Sequence, residues 1–267
     1  MSPSAPPATA RAEATRGRIR VGVGGWRYPP WRGLFYPEGL PQSQELAWAS
    51  RRLATIEVNG TYYSSFPRAT FASWREQTPD GFVFSLKAHR FATTRKVLAT
   101  AGPAITRFVE SGLSELGPKL GPIVWQFMPT KRFDAADFEA FLALLPAAID
   151  SLALRHVLDV RHASFAAPEY LELATRYGCV TAHTDARELP DIRAAEAPFA
   201  YLRLMRSQPA LATGYPPADL ARWADGARAW AGGARPRDAF IYFINGAKER
   251  APGAAMAFSE QLARVSI

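Results

Sequence analysis

The chain has 267 residues, 48% of them hydrophobic and 21% charged, with a formal net charge of +8. This is enough for one large α/β domain or two small ones, with an ordinary soluble composition and a basic balance that favours anionic partners such as phosphates or nucleic acid. The single cysteine excludes an internal disulfide, and no apolar run reaches the length of a membrane span, so no membrane partner is expected.

Residues 1–18, MSPSAPPATARAEATRGR, lack large apolar side chains and are expected to form a disordered tail ahead of one folded domain over 19–267. They hold no apolar h-region, which argues against a secretory signal and for a cytoplasmic protein. Strand and helix patterns then alternate. Strand Arg20–Trp26 precedes helix Pro41–Leu53, strand Thr55–Thr61 precedes helix Pro67–Gln77, and strand Phe82–His89 precedes helix Ala99–Leu116. Strand Pro122–Phe127 leads to helix Asp134–Ile149, and strand His156–His162 to helix Pro168–Tyr177. After strand Val180–Asp185 the link ARELPDIRAAEAP reads as a loop with at most one helical turn. Strand Phe199–Met205 with helix Pro217–Ala231, and strand Phe240–Asn245 with helix Gly253–Val265, close the series. The strands are rich in Val, Ile, Phe and Tyr, and several helices open on Pro or Asp. Eight strands alternating with helices predict a parallel sheet. A single-domain (β/α)8 TIM barrel, an α/β fold of ~250 residues, fits the length, with a doubly wound open sheet as the alternative.

Side-chain parity along the strands points to a site. In Ile56-Glu57-Val58-Asn59, Phe84-Ser85-Leu86-Lys87, Leu158-Asp159-Val160-Arg161 and Leu202-Arg203-Leu204 the polar residues all share one parity. Helices cover the outside of a barrel, so the aliphatic parity should face them. Glu57, Asn59, Lys87, Asp159, Arg161 and Arg203 are then expected to point inward. Two acids and three bases leave one cation over, which suits an anion, and charges near strand C-termini match the active-site face of such barrels. Gln126, His162, Asp185 and Asn245 close other strands, and His89 and Arg90 follow Lys87. The first loop, inside VGVGGWRYPPWRGLFYP, adds Trp26, Tyr28, Trp31 and Tyr36 as a rim that could stack on a ligand.

Several motifs are missing. GVGGW is not G-x-G-x-x-G, and neither a phosphate-binding G-x-x-x-x-G-K-[ST] nor a G-x-S-x-G elbow occurs. The four histidines have no metal-ligand spacing, so neither a metal nor a cofactor is expected.

GGWRYPPWRGLFYP, EVNGTYYSSFP, FSLKAHRF, VLDVRHASF, YLRL and IYFIN, in this order, resemble the YecE-like family, domain of unknown function 72. The resemblance spans nearly all of Ile19–Leu262 and implies a TIM barrel without implying an activity. Its polar positions correspond to Glu57, Asn59, Lys87, Arg90, Arg161, His162, Arg203 and Asn245, and its aromatic ones to Trp26, Tyr28, Trp31, Tyr36 and Tyr62. Family members carry Glu where Asp159 stands, His where Met205 stands, an acid where Ile244 stands and Asn near Ala254. Each of the last three departures removes a polar group.

The expected function is an enzyme binding a phosphate- or carboxylate-bearing small molecule at the C-terminal face. Hydrolase, lyase and isomerase chemistry remain open. Glu57, Asp159 and His162 are the catalytic candidates, with Trp26, Tyr28, Trp31, Asn59, Tyr62, Lys87, Arg90, Gln126, Arg161, Asp185, Arg203 and Asn245 binding substrate. Alanine at Arg161 or Arg203 is expected to abolish ligand binding with the fold intact. The alternatives are a nucleic-acid-binding barrel and a non-catalytic binding barrel. The sequence sets no oligomeric state.

Overall fold

The computed structural model describes residues 17–192, 197–232 and 235–264. Most of the expected tail and part of the link after strand six therefore lie outside the described residues. The tail's last two residues are held: Gly17 N donates to Ala231 O at 2.7 Å and Arg18 N to Asp238 Oδ1 at 2.9 Å.

Among the described residues nine segments make one parallel sheet. They are β1 (Ile19–Gly24), β2 (Thr55–Val58), β3 (Val83–Lys87), β4 (Leu120–Gln126), β5 (His156–Asp159), β6 (Val180–Thr181), β7 (His183–Thr184), β8 (Ala200–Leu204) and β9 (Ala239–Phe243). Neighbours run β6-β5-β4-β3-β2-β1-β9-β8-β7. β6 and β7 are halves of one strand interrupted at Ala182, whose amide still donates to Leu158 O on β5. The first half pairs with β5 and the second with β8, so the sheet closes on itself with eight barrel positions. This is the expected TIM barrel.

The helices are α1 (Glu45–Ala49), α2 (Gly60–Tyr63), α3 (Arg68–Gln77), α4 (Gly102–Val109), α5 (Ala135–Ala143), α6 (Pro168–Arg176), α7 (Pro217–Ala231) and α8 (Ala251–Ala263). Pro168 and Pro217 open α6 and α7, where a missing N–H costs nothing. The Asp134 side chain caps α5 by accepting from Asp137 N at 2.9 Å.

Several predicted elements are longer than the observed ones: the helix predicted over Pro41–Leu53 is an α-helix only over Glu45–Ala49, and a strand and two further helices stop early. The strand from Thr55 ends at Val58, because the chain turns at Asn59 into α2. The helix predicted to Leu116 stops at Val109, and the chain passes through Gly112 at φ 118°, where a Cβ would lie 2.8 Å from Arg68 Cα. The helix predicted to Ile149 stops at Ala143, and Ala148–Ile149 pairs with Leu152–Ala153 as a small hairpin turned by Asp150 and Ser151 at positive φ.

Two apolar layers confirm the parity. Ile56, Val58, Phe84, Leu86, Leu158, Leu202 and Leu204 belong to the core between sheet and helices. Val83, Val124, Val157, Val180, Tyr201, Phe240 and Tyr242 fill the barrel interior. At the N-terminal end Asp238 holds Arg20 at 3.1 Å and Arg155 at 3.6 Å, and both guanidiniums lie over Phe240. These ion pairs and ring contacts occupy part of the N-terminal end. Among the described residues no helix is long and apolar enough to cross a membrane.

Candidate functional site

Above the interior apolar layer sits a polar one. Thr55 and Tyr242 hydroxyls lie 2.8 Å apart, and Ser85 Oγ lies 2.7 Å from Tyr201 OH. Tyr201 OH then donates to Glu57 Oε2 at 2.8 Å. This carries the hydrogen bonding upward into a layer of charge.

Arg203 organises that layer. Its Nε and Nη2 grip Glu57 Oε2 and Oε1, both at 3.0 Å, and its Nη1 donates to Asp159 Oδ2 at 2.7 Å. Arg203 is 2% exposed and Glu57 0%, so this bidentate pair is out of water. Burial alone would lower the Arg203 pKa, but the carboxylates of Glu57 and Asp159 outweigh it and hold the pKa above its ordinary value. Arg161 completes the row: Nη2 donates to Asp159 Oδ2 at 2.9 Å and to Gln126 Oε1 at 3.0 Å. Oδ2 of Asp159 thus serves two arginines, while its Oδ1 accepts no hydrogen bond among the described residues.

Lys87, at the end of β3, is the cation left over. It is buried, yet its Nζ forms no hydrogen bond or ion pair among the described residues and lies 4.4 Å from the centroid of the Tyr62 ring. Burial pushes its pKa from 10.5 down to about 8; Glu57 and Asp159 oppose that fall, and Arg203 and Arg161 deepen it. Tyr62 itself has a raised pKa, chiefly from burial. Asn59 lies at the start of α2 beside bare Gly24, where a Cβ would meet Asn59 Nδ2 at 3.0 Å.

The structure brings together Glu57, Asn59, Tyr62, Lys87, Gln126, Asp159, Arg161 and Arg203. It places other expected site residues differently. Glu57 has both oxygens engaged and no exposed surface, so it cannot meet a substrate as a proton-transfer group. Trp26 packs edge-on against Trp74 at 5.1 Å, and Trp31 is fully buried with Nε1 donating to Lys248 O at 2.9 Å. Both are core residues of the first loop rather than stacking surfaces, and Tyr36 OH is likewise bonded to Trp26 O. Tyr28 is half-buried at the rim, beneath Lys248 Nζ at 4.6 Å. His162 uses Nδ1 to accept from Ser164 N at 3.1 Å, capping the turn Ala163–Phe165. Arg90 is exposed beside Phe91.

Asp185 and Asn245 lie off the inward parity. Asp185 accepts from Met205 N at 2.6 Å and from Tyr215 OH at 2.8 Å, clamping two loops beside a separate 340 Å³ cavity. Asn245 is exposed, and it is Ile244 that joins the interior cluster. Tyr201 and Ser85, which the expected set omits, are hydrogen-bonded to the charged layer from below. Their parity, shared with Arg203 and Lys87, carries the signal for both.

An eight-position parallel barrel whose charged layer faces its C-terminal end defines the class. The family model described as Protein of unknown function DUF72 matches residues 20–266, and the chain belongs to that family. It is 28% identical over 150 residues to UPF0759 protein YecE of Escherichia coli (strain K12), a stretch covering 55% of this chain and 50% of that protein. The match thus spans half the length of that curated relative. Among solved structures, a DUF72 family protein of Thermotoga maritima superposes with TM-score 0.74 at 21% identity, covering 92% of this chain and 100% of the other. A DUF72 family protein of Enterococcus faecalis V583 gives TM-score 0.71 at 16% identity, with 93% and 97% covered. The SacUVDE structure gives 0.55 at 10% identity, with 91% and 98% covered. These three likenesses show the fold.

Proposed function

We propose that this barrel is an enzyme that binds a small phosphate- or carboxylate-bearing substrate at its C-terminal mouth, between Lys87 and Arg161. One observation carries the reading: among the described residues, four of the five charged groups in the layer are paired and the amine of Lys87 is not. Arg161 supports it, because Nε and Nη2 are engaged while Nη1 makes no hydrogen bond among the described residues. An anion seated there would meet one ammonium and one free guanidinium edge, with Tyr62 as a wall. The acid–base role falls to Asp159 Oδ1.

Titration calorimetry with inorganic phosphate and with pyruvate tests this. Arg161→Ala is expected to weaken binding about tenfold or more, as loss of a charge-assisted hydrogen bond does. Asp159 keeps Arg203 in that variant, so the fold should hold. Undiminished affinity in a folded Arg161→Ala protein would sink the reading.

A second reading rests on the rim. Arg90, Lys96 and Arg132, all exposed and without ion pairs among the described residues, accompany exposed Tyr63, Phe91 and Met128 on the segments that follow β2, β3 and β4. Cations interleaved with aromatics suit a single-stranded nucleic acid. A labelled oligothymidylate should then bind with steep loss of affinity between low and moderate salt, and a salt-insensitive or absent signal excludes it.

A further inference from the structure

We infer that Lys87 is a covalent nucleophile, and that the anionic substrate carries an aldehyde or ketone with which the Lys87 amine forms an imine. This rests on the anion-binding reading of the same mouth and narrows it to carbonyl compounds such as 2-oxo acids and phosphorylated aldehydes.

The geometry separates Lys87 from the other four lysines. Lys119 Nζ donates to Arg75 O at 2.7 Å and Thr78 O at 2.6 Å, a structural cap. Lys131 is paired with Asp137 at 2.9 Å. Lys248 lies over Tyr28 at the rim, and Lys96 is exposed. Lys87 alone stands on the inward face of the barrel at the C-terminal end, against an aromatic ring instead of a carboxylate. A lysine needs its neutral form to attack carbon, and a desolvated site beside other cations favours that form. Burial and the guanidiniums of Arg203 and Arg161 supply both conditions, and the pKa of about 8 follows from them.

The step balances without any co-reactant. The neutral Nζ attacks the carbonyl carbon, the C–N bond forms, and one proton passes from the nitrogen to the carbonyl oxygen to give a neutral carbinolamine. The C–O bond then breaks, the oxygen leaves as water with a second proton drawn from solvent, and the nitrogen lone pair completes the C=N bond of an iminium. No atom is oxidised or reduced. Asp159 Oδ1, open beside the arginines, is the group available to relay the protons. The iminium then draws electrons from an adjacent C–H or C–C bond. That favours lyase or isomerase chemistry over hydrolysis.

The test treats the whole protein with pyruvate and cyanoborohydride at pH 7.5 and maps the reduced adducts by peptide mass spectrometry. At that pH the neutral fraction of Lys87 exceeds that of an ordinary lysine about a hundredfold, so its labelling should outpace Lys96 by about tenfold or more. Inorganic phosphate should compete, and Arg161→Ala should slow labelling by pyruvate more than labelling by acetaldehyde, because the second loses only the guanidinium's effect on the amine and the first loses the anion contact as well. Adducts that follow exposure, with Lys96 ahead of Lys87, overturn the imine. If phosphate still binds in an Arg161-dependent way, the anion site then stands without it. If neither labelling nor phosphate binding occurs, both readings fall.

Discussion

Arg203→Ala is expected to lower the unfolding free energy by about 3–5 kcal/mol, the usual cost of leaving one member of a buried ion pair alone. Glu57 is wholly buried and receives two of its three hydrogen bonds from this guanidinium. Without it the carboxylate stays in the interior with Tyr201 alone. Urea unfolding of the wild type, Arg203→Ala and the double variant Glu57→Leu/Arg203→Met reads this directly. The double variant, with both charges gone, should regain much of the loss. A single variant as stable as the wild type would show that the pair holds nothing. A loss of that size would replace the expectation that alanine at Arg203 removes only the ligand, and would leave the ligand question to Arg161.

Lys87→Met should act in the opposite direction and stabilise the protein by about 2–3 kcal/mol near pH 7. The folded state carries a lysine whose pKa is lowered from 10.5 to about 8, a shift worth about 3 kcal/mol. Part of that is returned because methionine forfeits the contact with Tyr62. The groups facing the amine are Glu57 on β2, Asp159 and the adjoining Arg161 at β5, Arg203 on β8 and Tyr62 on α2. Between pH 8 and 10.5 the unfolded wild-type chain holds the proton that the folded one has released. Wild-type stability therefore climbs with pH across that window and the advantage of methionine fades. Thermal melts at pH 7 and pH 10 measure the closing gap. A methionine variant less stable than the wild type at pH 7 would mean that Lys87 is a structural cation. A functional group held at a cost in stability is common at active sites.

The alternation of strand and helix patterns made the barrel legible, and single-parity polar residues made its inner layer legible. Ile56-Glu57-Val58 and Leu202-Arg203-Leu204 read correctly because a paired strand forces strict alternation. Parity failed where pairing stops. Asp185 follows a two-residue strand and falls on the outer side with His183, whose ring packs on Trp223 at 5.6 Å. The aromatics of the first loop misled for a different reason. Loop side chains are often displayed, but this loop is long enough to bury a core of its own, with Trp31 fitted against Phe35 and Tyr36. Which carboxylate keeps a free oxygen depends on how two guanidiniums approach across the barrel, and no pattern within one strand encodes that.

The seam at Ala182 bears on how the molecule assembles. β6 and β7 each add only two residues of ladder, and the link from β7 to β8 contains no helix among the described residues. A flat sheet would hold β2 and β8 three strand spacings apart, about 14 Å, and β5 farther still. Arg203 can therefore touch Glu57 and Asp159 only once the sheet has rolled up and its weakest joint has closed. The charged layer is in this sense a late product of folding. Local opening at the seam should loosen the grip on Asp159 before it disturbs the helices on the far side.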